Sequence, residues 1–267
     1  MDFYEALSKY YDEIFPIKEQ QKKFLQTYIN TYGQHSILDV GCGTGSYVLE
    51  IASWGIQADG VDLSRAMIDI AKQKAREKAS TARFYVGDMQ DLNTSVEASY
   101  DGIICLGNTI AHLPSELVLC KVLEDFQHKA KQLLIQVVNY DRIIAQKIIE
   151  LSEIKTPNLV FYRYYTHLPS GLIEFTTKID LSLNQQIDSL VKTKDEQSTS
   201  GKSVLTAVNT LFPLVKNDLE KSLLMEGWEP IHWWGSFAGE EWQEDSPATI
   251  VAVRAKSFFQ PKHSLCD

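Results

Sequence analysis

The sequence predicts an α/β protein: a mostly parallel β-sheet with helices on both faces, interrupted by an antiparallel β insertion. Three observations carry this. Short apolar segments alternate with amphipathic stretches between positions 36 and 138, which is the pattern of βαβ units. The first apolar segment runs into a glycine-rich turn that opens a helix, Ile37-Leu38-Asp39-Val40-Gly41-Cys42-Gly43-Thr44-Gly45. After Tyr140 the periodicity becomes an alternation rich in Tyr, Thr, Phe and Val, which is antiparallel strand chemistry.

Taken in order, residues 5–32 read as helical. Leu7, Tyr10, Tyr11, Ile14 and Phe15, then Phe24, Leu25, Tyr28 and Ile29, recur at three-to-four spacing. Pro16 divides the two pieces and Gly33 stops the second. Strands follow at 37–40, 58–62, 83–86, 102–106 and 133–138, with helices at 46–54, 64–78 and 115–129 and Ser64 as an N-cap. Residues 141–152 read as a helix. Residues 159–210 read as antiparallel strands, with a polar loop at Lys192–Lys202. A helix at 217–226, closed by Gly227, and strands at 231–237 and 248–255 complete the pattern. The domain organisation expected is an N-terminal helical lid (1–34), a core (35–140 and 211–256), an inserted cap (141–210) and a tail (257–267).

The 267 residues are 44% hydrophobic, enough for a full core. No run approaches the ~20 apolar residues that span a bilayer, and the N-terminus carries acids where a secretion signal carries bases. The expectation is a soluble, cytoplasmic protein with no membrane partner. A net charge of −9 without a Lys/Arg run makes nucleic acid a poor partner and a small molecule the better one. Cys42, Cys105, Cys120 and Cys266 form no C-x-x-C pair, so neither a zinc site nor a disulfide framework is expected.

A glycine loop at the end of a first strand lets a ligand approach the backbone. Further features stand at the following strand ends. Asp62 ends the second strand, 23 residues after Asp39, where a carboxylate can accept from both hydroxyls of a ribose. Gly87-Asp88-Met89 ends the third, where an acid can accept from an adenine amino group and Met89 can lie against the ring. Leu106-Gly107-Asn108-Thr109 ends the fourth. Each acid also has a plainer reading: Asp39 as a loop brace, Asp62 as a helix N-terminal charge, Asp88 as a turn former. The dinucleotide fingerprint G-x-G-x-x-G/A needs Gly or Ala where this chain has Ser46, which disfavours NAD.

With these motifs the sequence resembles the class I S-adenosylmethionine-dependent methyltransferases over roughly 35–140 and 213–255. The resemblance implies their Rossmann-like fold, with a mostly parallel seven-stranded sheet. It also implies S-adenosylmethionine as cofactor, leaving S-adenosylhomocysteine as product. The glycine loop would meet the methionine moiety, Asp62 the ribose and Asp88 the adenine. The cofactor set expected is Tyr11, Asp39, Gly41, Gly43, Gly45, Asp62, Leu63, Met67, Asp88, Met89 and Leu106.

Leu106-Gly107-Asn108-Thr109-Ile110-Ala111-His112-Leu113-Pro114 and Asn139-Tyr140-Asp141 are similar to runs in glycine and sarcosine N-methyltransferases, and Tyr10-Tyr11-Asp12 resembles their lid helix. That similarity implies methyl transfer to an amine nitrogen of a small metabolite. Asn108, Tyr140 and His167 are the candidate catalytic residues. The chain departs at Val138, where those enzymes carry an Arg that grips the substrate carboxylate. Glycine is therefore disfavoured as acceptor, unless a cation such as Arg163 or Lys178 takes that place. Tyr162, Tyr164, Tyr165, Trp233 and Trp234 are candidates for an aromatic cage. His167 and His232 are candidate bases for the rival reading, an O-methyltransferase. A third reading is a non-catalytic protein that binds S-adenosylmethionine. No metal ligand set is expected, because the fourth strand ends without an acid.

Overall fold

The structure, a computed structural model, describes residues 3–182 and 204–256. The expected loop at 192–202 and the tail at 257–267 lie outside them.

Two helices come first, α1 (Phe3–Ile14) and α2 (Glu19–Thr31). The alternating core follows as β1 (Ser36–Val40), α3 (Ser46–Ser53), β2 (Gln57–Asp62), α4 (Arg65–Glu77) and β3 (Arg83–Val86). It continues through α5 (Leu92–Ser95), β4 (Tyr100–Cys105), α6 (Glu116–Lys129), β5 (Ala130–Val138) and α7 (Tyr140–Ala145). Four strands then form a separate antiparallel sheet: β6 (Glu150–Lys155), β7 (Val160–His167), β8 (Ile173–Asp180) and β9 (Val204–Leu211). The chain returns through α8 (Lys216–Met225), β10 (Trp228–Trp234) and β11 (Ala248–Ala255).

The main sheet has seven strands in the order β10-β11-β5-β4-β1-β2-β3, and β11 alone runs against the rest. From β1 the chain moves one way to β2 and β3, then returns to the other side for β4 and β5. The strand order reverses between β1 and β4, and in open α/β sheets a crevice opens at the carboxyl ends of such strands. Central strands are apolar on both faces because helices cover both. Leu38 and Val40 of β1 pack with Leu119, Phe126 and Leu219 of α6 and α8, while Ile37 packs with Leu25, Leu49 and Ile68 of α2, α3 and α4.

α1 has a different partner. Ala6, Tyr10 and Ile14 recur every four residues and are buried in one cluster with Phe161 and Ile179 of the second sheet and with Leu159 and Leu181 beside it. On its other side α1 touches α4. It therefore bridges the two sheets, whereas α2 is part of the core layer.

The structure departs from the sequence-based reading in several places. The helix expected over 141–152 stops at Ala145, because Lys147 takes a left-handed conformation (φ 49°) and Ile148 N–H turns back to the Ile143 carbonyl. A non-glycine residue carries this stop, so no punctuation marks it. Beyond it, Leu151 and Ile154 join β6 opposite Arg163 and Phe161. Helix α5 and the single turns at Met89–Asp91 and Thr109–His112 were not expected, and β10 begins three residues earlier than its apolar run suggested.

Candidate cofactor and acceptor site

The glycine loop joins β1 to α3 with Gly41, Gly43 and Gly45 all at positive φ (78°, 52° and 75°). Each position is also crowded. A Cβ on Gly41 would strike Thr109, one on Gly45 would sit 2.5 Å from the Phe84 ring, and one on Gly43 would meet the Tyr11 ring at 3.2 Å. Side chains here are excluded by conformation and by space.

Asp62 closes the loop from β2. Its carboxylate accepts from Gly43 N–H and Ser64 N–H, each at 2.8 Å. Burial raises its pKa, and those two bonds oppose the rise. Asp39, on the neighbouring strand, is 2% exposed, and its Oδ2 has no hydrogen-bond partner. Burial, with Asp62 nearby, pushes its pKa up to about 8. An unpaired buried carboxyl oxygen is costly, so this atom is set to receive a donor from a ligand.

Tyr11 and Asp12 bring α1 onto the loop. Asp12 Oδ1 accepts from the hydroxyls of Thr44 (2.6 Å) and Ser46 (2.7 Å), and Oδ2 accepts from Lys74 Nζ of α4 (2.6 Å). Burial alone would raise the Asp12 pKa; the bonds from Lys74, Thr44 and Ser46 outweigh it and lower the value. The four-residue latch was not read from the sequence, although hydroxyls on both sides of Gly45 are the signal that marks it.

At the end of β3, Asp88 accepts from Gln90 N–H (2.9 Å) and caps the turn at Met89–Asp91, while Met89 packs partly against the core. Leu63, beside Asp62, is 71% exposed, Met67 is buried in the first turn of α4, and Leu106 is buried at the end of β4. Burial pushes the Cys42 and Cys105 thiols up, so they stay protonated.

The second half of the crevice lies at the ends of β4 and β5. Asn108 is held at φ 69°; its Nδ2 donates to Tyr140 Oη (2.9 Å) and its Oδ1 accepts from Val138 N–H (3.2 Å). Tyr140 is fully buried, and burial raises its pKa. It stays protonated and, since it accepts from Asn108, its own O–H proton is directed elsewhere. Its neighbours in the Asn-Tyr-Asp run are occupied structurally. Asn139 Nδ2 donates to the carbonyls of Gln243, Glu244 and Ser246, and Asp141 accepts from Lys216 N–H at the start of α8. Tyr165 of β7 shares the buried cluster of Tyr140.

The other candidates lie apart from this pair. His167 is exposed at the end of β7, with its Nε2 2.9 Å from the Ile148 carbonyl oxygen. It lines an open cleft with Ile144, Lys147, Ile149, Tyr165 and Thr166. His232 pairs with Glu241 (2.9 Å) and packs at a tilt on Trp234, and both Trp233 and Trp234 sit on the edge strand β10. Tyr162 and Tyr164 stack on each other on the opposite face of β7 from Tyr165. The five candidate cage aromatics therefore do not converge, and Tyr165 is the one that meets Tyr140. Among the described residues no group of three or more His, Cys, Asp or Glu could hold a metal ion, and no helix is long and apolar enough to cross a membrane.

Residues 37–134 match a family model described as a methyltransferase domain. The glycine/sarcosine N-methyltransferase of Parasynechococcus marenigrum (strain WH8102) is 30% identical over 129 residues, covering 47% of this chain and 46% of the relative. The glycine/sarcosine/dimethylglycine N-methyltransferase of Actinopolyspora halophila is 25% identical over 244 residues, covering 90% of this chain and 39% of the relative. The chain thus spans less than half the length of these two curated relatives. In the crystal structure of an S-adenosylmethionine-dependent methyltransferase from Clostridium acetobutylicum ATCC 824 the same fold recurs. That match has a TM-score of 0.76 at 14% identity, over 94% of this chain and 98% of that one. Over residues 37–134 the chain is thus similar to a methyltransferase domain, and its fold is that of solved enzymes that depend on S-adenosylmethionine. The site fits that group in its own chemistry: a glycine cradle, the unpaired Asp39 oxygen and the Asp62 carboxylate at the switch point.

Proposed function

We propose that the protein transfers the methyl group of S-adenosylmethionine to the amine nitrogen of a small acceptor, in the crevice enclosed by α1 and the second sheet. In this reading residues 1–34 supply the lid, 35–140 with 211–256 hold the cofactor, and 141–210 form the substrate cap. The cofactor contacts assigned to Tyr11, Asp39, the three loop glycines, Asp62, Leu63, Met67, Asp88, Met89 and Leu106 belong to the same proposal. So do the acceptor contacts of Asn108 and Tyr140.

The observation that carries the N-directed reading is the Asn108–Tyr140 pair. Asn108 Oδ1 uses one lone pair on Val138 N–H; the other can take an N–H of an amine and turn its lone pair toward the methyl group. Tyr140, kept protonated, is a donor and not a base. A neutral amine needs no base, because the sulfonium supplies an activated methyl group; orientation and exclusion of water provide the acceleration. The histidines that an O-directed reaction would call on, His167 and His232, are each bound to other groups. The relatives named as N-methyltransferases point the same way.

The test is turnover with methyl-labelled S-adenosylmethionine and two panels, small amines and small phenols. Label is expected in the amines, with kcat/KM rising as each amine loses its own proton. Label confined to the phenols would establish the O-directed reading. Cofactor binding without label transfer to either panel would establish a binding protein.

A further inference from the structure

We infer that β9 is the surface through which two copies of this chain associate, each setting its β9 antiparallel to the other about a twofold axis at Val208. This is separate from the reaction proposed above and does not rest on it.

An edge strand leaves a row of N–H and C=O groups open to pairing, and folded proteins guard such rows with short strands, charges, prolines or bulges. Among the described residues the two sheets have four edges, and three are guarded. β3 has only four residues and opens with Arg83. β10 contains Glu229 and Pro230, shifts register between Pro230 and His232, and is bridged at Trp234 by Glu241. β6 carries Glu150, Glu153 and Lys155 and shifts register between Leu151 and Ile154. β9 has none of these devices. Its eight residues, Val204-Leu205-Thr206-Ala207-Val208-Asn209-Thr210-Leu211, include no charge and no proline, and they pair with β8 without a shift.

The Ala207 carbonyl is turned to β8, where it accepts from the Thr177 hydroxyl at 3.5 Å. Successive residues of a strand point their backbone groups to opposite sides, so Val204, Thr206, Val208 and Thr210 direct theirs away from β8. Phe212, next in that series, donates its N–H to the Ala111 carbonyl. The same four side chains share the outer face of the sheet and are exposed, Val204 by 42% and Val208 by 54%. Leu205 and Ala207, on the inner face, pack against the cluster that holds α1.

The occupant that fits this edge is a second copy. At a net charge of −9 two copies repel each other, so they meet where charge is absent or complementary, and β9 offers both. With Val208 set against the second copy's Val208, Thr206 faces the second copy's Thr210. Thr206 is paired with Lys178 of β8 and Thr210 with Glu174, so each such row has Lys178 at one end and the second copy's Glu174 at the other. The contact is isologous and closes at two copies. About six backbone hydrogen bonds form across it, and the sheet on which α1 docks runs unbroken through both copies.

Sedimentation velocity on the purified full chain tests this, with wild type, Val208→Lys, Val208→Glu and an equimolar mixture of the two variants. Val208 is exposed and outside the buried clusters, so both variants are expected to keep the wild-type far-ultraviolet spectrum. Wild type is expected to dimerise. Each variant alone should dimerise at least ~10-fold more weakly, because like charges meet on the axis, and the mixture should recover the lost affinity. Hydrogen exchange gives a readout without substitution: protection of 204–211 in wild type should rise with protein concentration. A dimer that neither variant weakens, or a mixture no tighter than its components, would overturn the inference. So would a wild type that stays monomeric up to ~100 µM. In that monomer, slow exchange over 204–211 would give the edge to another part of the same chain, and fast exchange would leave it to a different partner.

Discussion

Asp39 and Asp62 stand side by side at the ends of β1 and β2, and their burial sets two outcomes. In the folded protein Asp39 keeps its proton up to about pH 8; in the unfolded chain an aspartate releases it near ~3.9. Between these values the native state binds more protons, so Asp39's contribution to stability is full below pH ~4 and is lost as pH rises toward 8. The Tm of the protein alone is expected to fall between pH 5 and pH 8, and Asp39→Asn should flatten that slope. A wild-type slope no steeper than that of Asp39→Asn would refute it. Asp62→Ala removes the acceptor for Gly43 and Ser64 N–H as well as the ribose contact assigned to it. Calorimetry should show S-adenosylhomocysteine binding weakened by about 1–3 kcal/mol; unchanged affinity would remove Asp62 from the site. Both acids were legible in the sequence as carboxylates at the ends of successive apolar strands. The Asn108–Tyr140 bond was legible only as two separate short motifs, since 32 residues separate its partners.

The docking of α1 is a property of an element. α1 presents Ala6, Tyr10 and Ile14 to the second sheet and Tyr11 with Asp12 to the glycine loop. Its apolar spacing foretold a helix, but nothing in the spacing foretold that Asp12 would meet Thr44, Ser46 and Lys74. Asp12→Ala is expected to lower hydrogen-exchange protection over 3–14 by about tenfold, in line with a partly exposed ion pair of up to ~1 kcal/mol plus its hydroxyl bonds. The strands of the main sheet should keep their protection. Unaltered exchange in α1 would show that its apolar face alone holds it. The glycine loop gives an opposite case. Gly45→Ala adds a Cβ 2.5 Å from Phe84 and 2.9 Å from the Ala71 Cβ, at a φ of +75°. Overpacking should destabilise the protein by about 1–3 kcal/mol in denaturant unfolding; a loss under ~0.5 kcal/mol would mean that the loop relaxes freely. The end of α7 shows where element reading fails: a left-handed Lys147 terminates a helix that the sequence pattern continues to 152.

At the scale of the molecule, one reversal of strand order locates the crevice. β1 and β4 diverge at the switch point, Asp39 with the glycine loop ends one, Leu106 with Asn108 follows the other, and α1 ties the crevice to the inserted sheet. The order of elements and the position of the crevice could be read from alternating apolar segments. The facing of the insert could not, because alternation states that Tyr162, Tyr164 and Tyr165 divide between two faces and not which face is covered. Methyl transfer is expected to change less than about twofold in EDTA, since hard cations need several oxygen ligands and the β4 end supplies amide and hydroxyl groups at Asn108 and Thr109. Activity abolished by EDTA and restored by magnesium would contradict this. The most direct measurement is a crystal structure with S-adenosylhomocysteine bound. The ribose hydroxyls are expected on Asp62, the adenine between Leu63 and Met89 near Asp88, the amino group at Asp39 Oδ2, and the sulfur facing Asn108 and Tyr140. Ligand bound away from the glycine loop, or a sulfur turned from the Asn108–Tyr140 pair, would contradict the account.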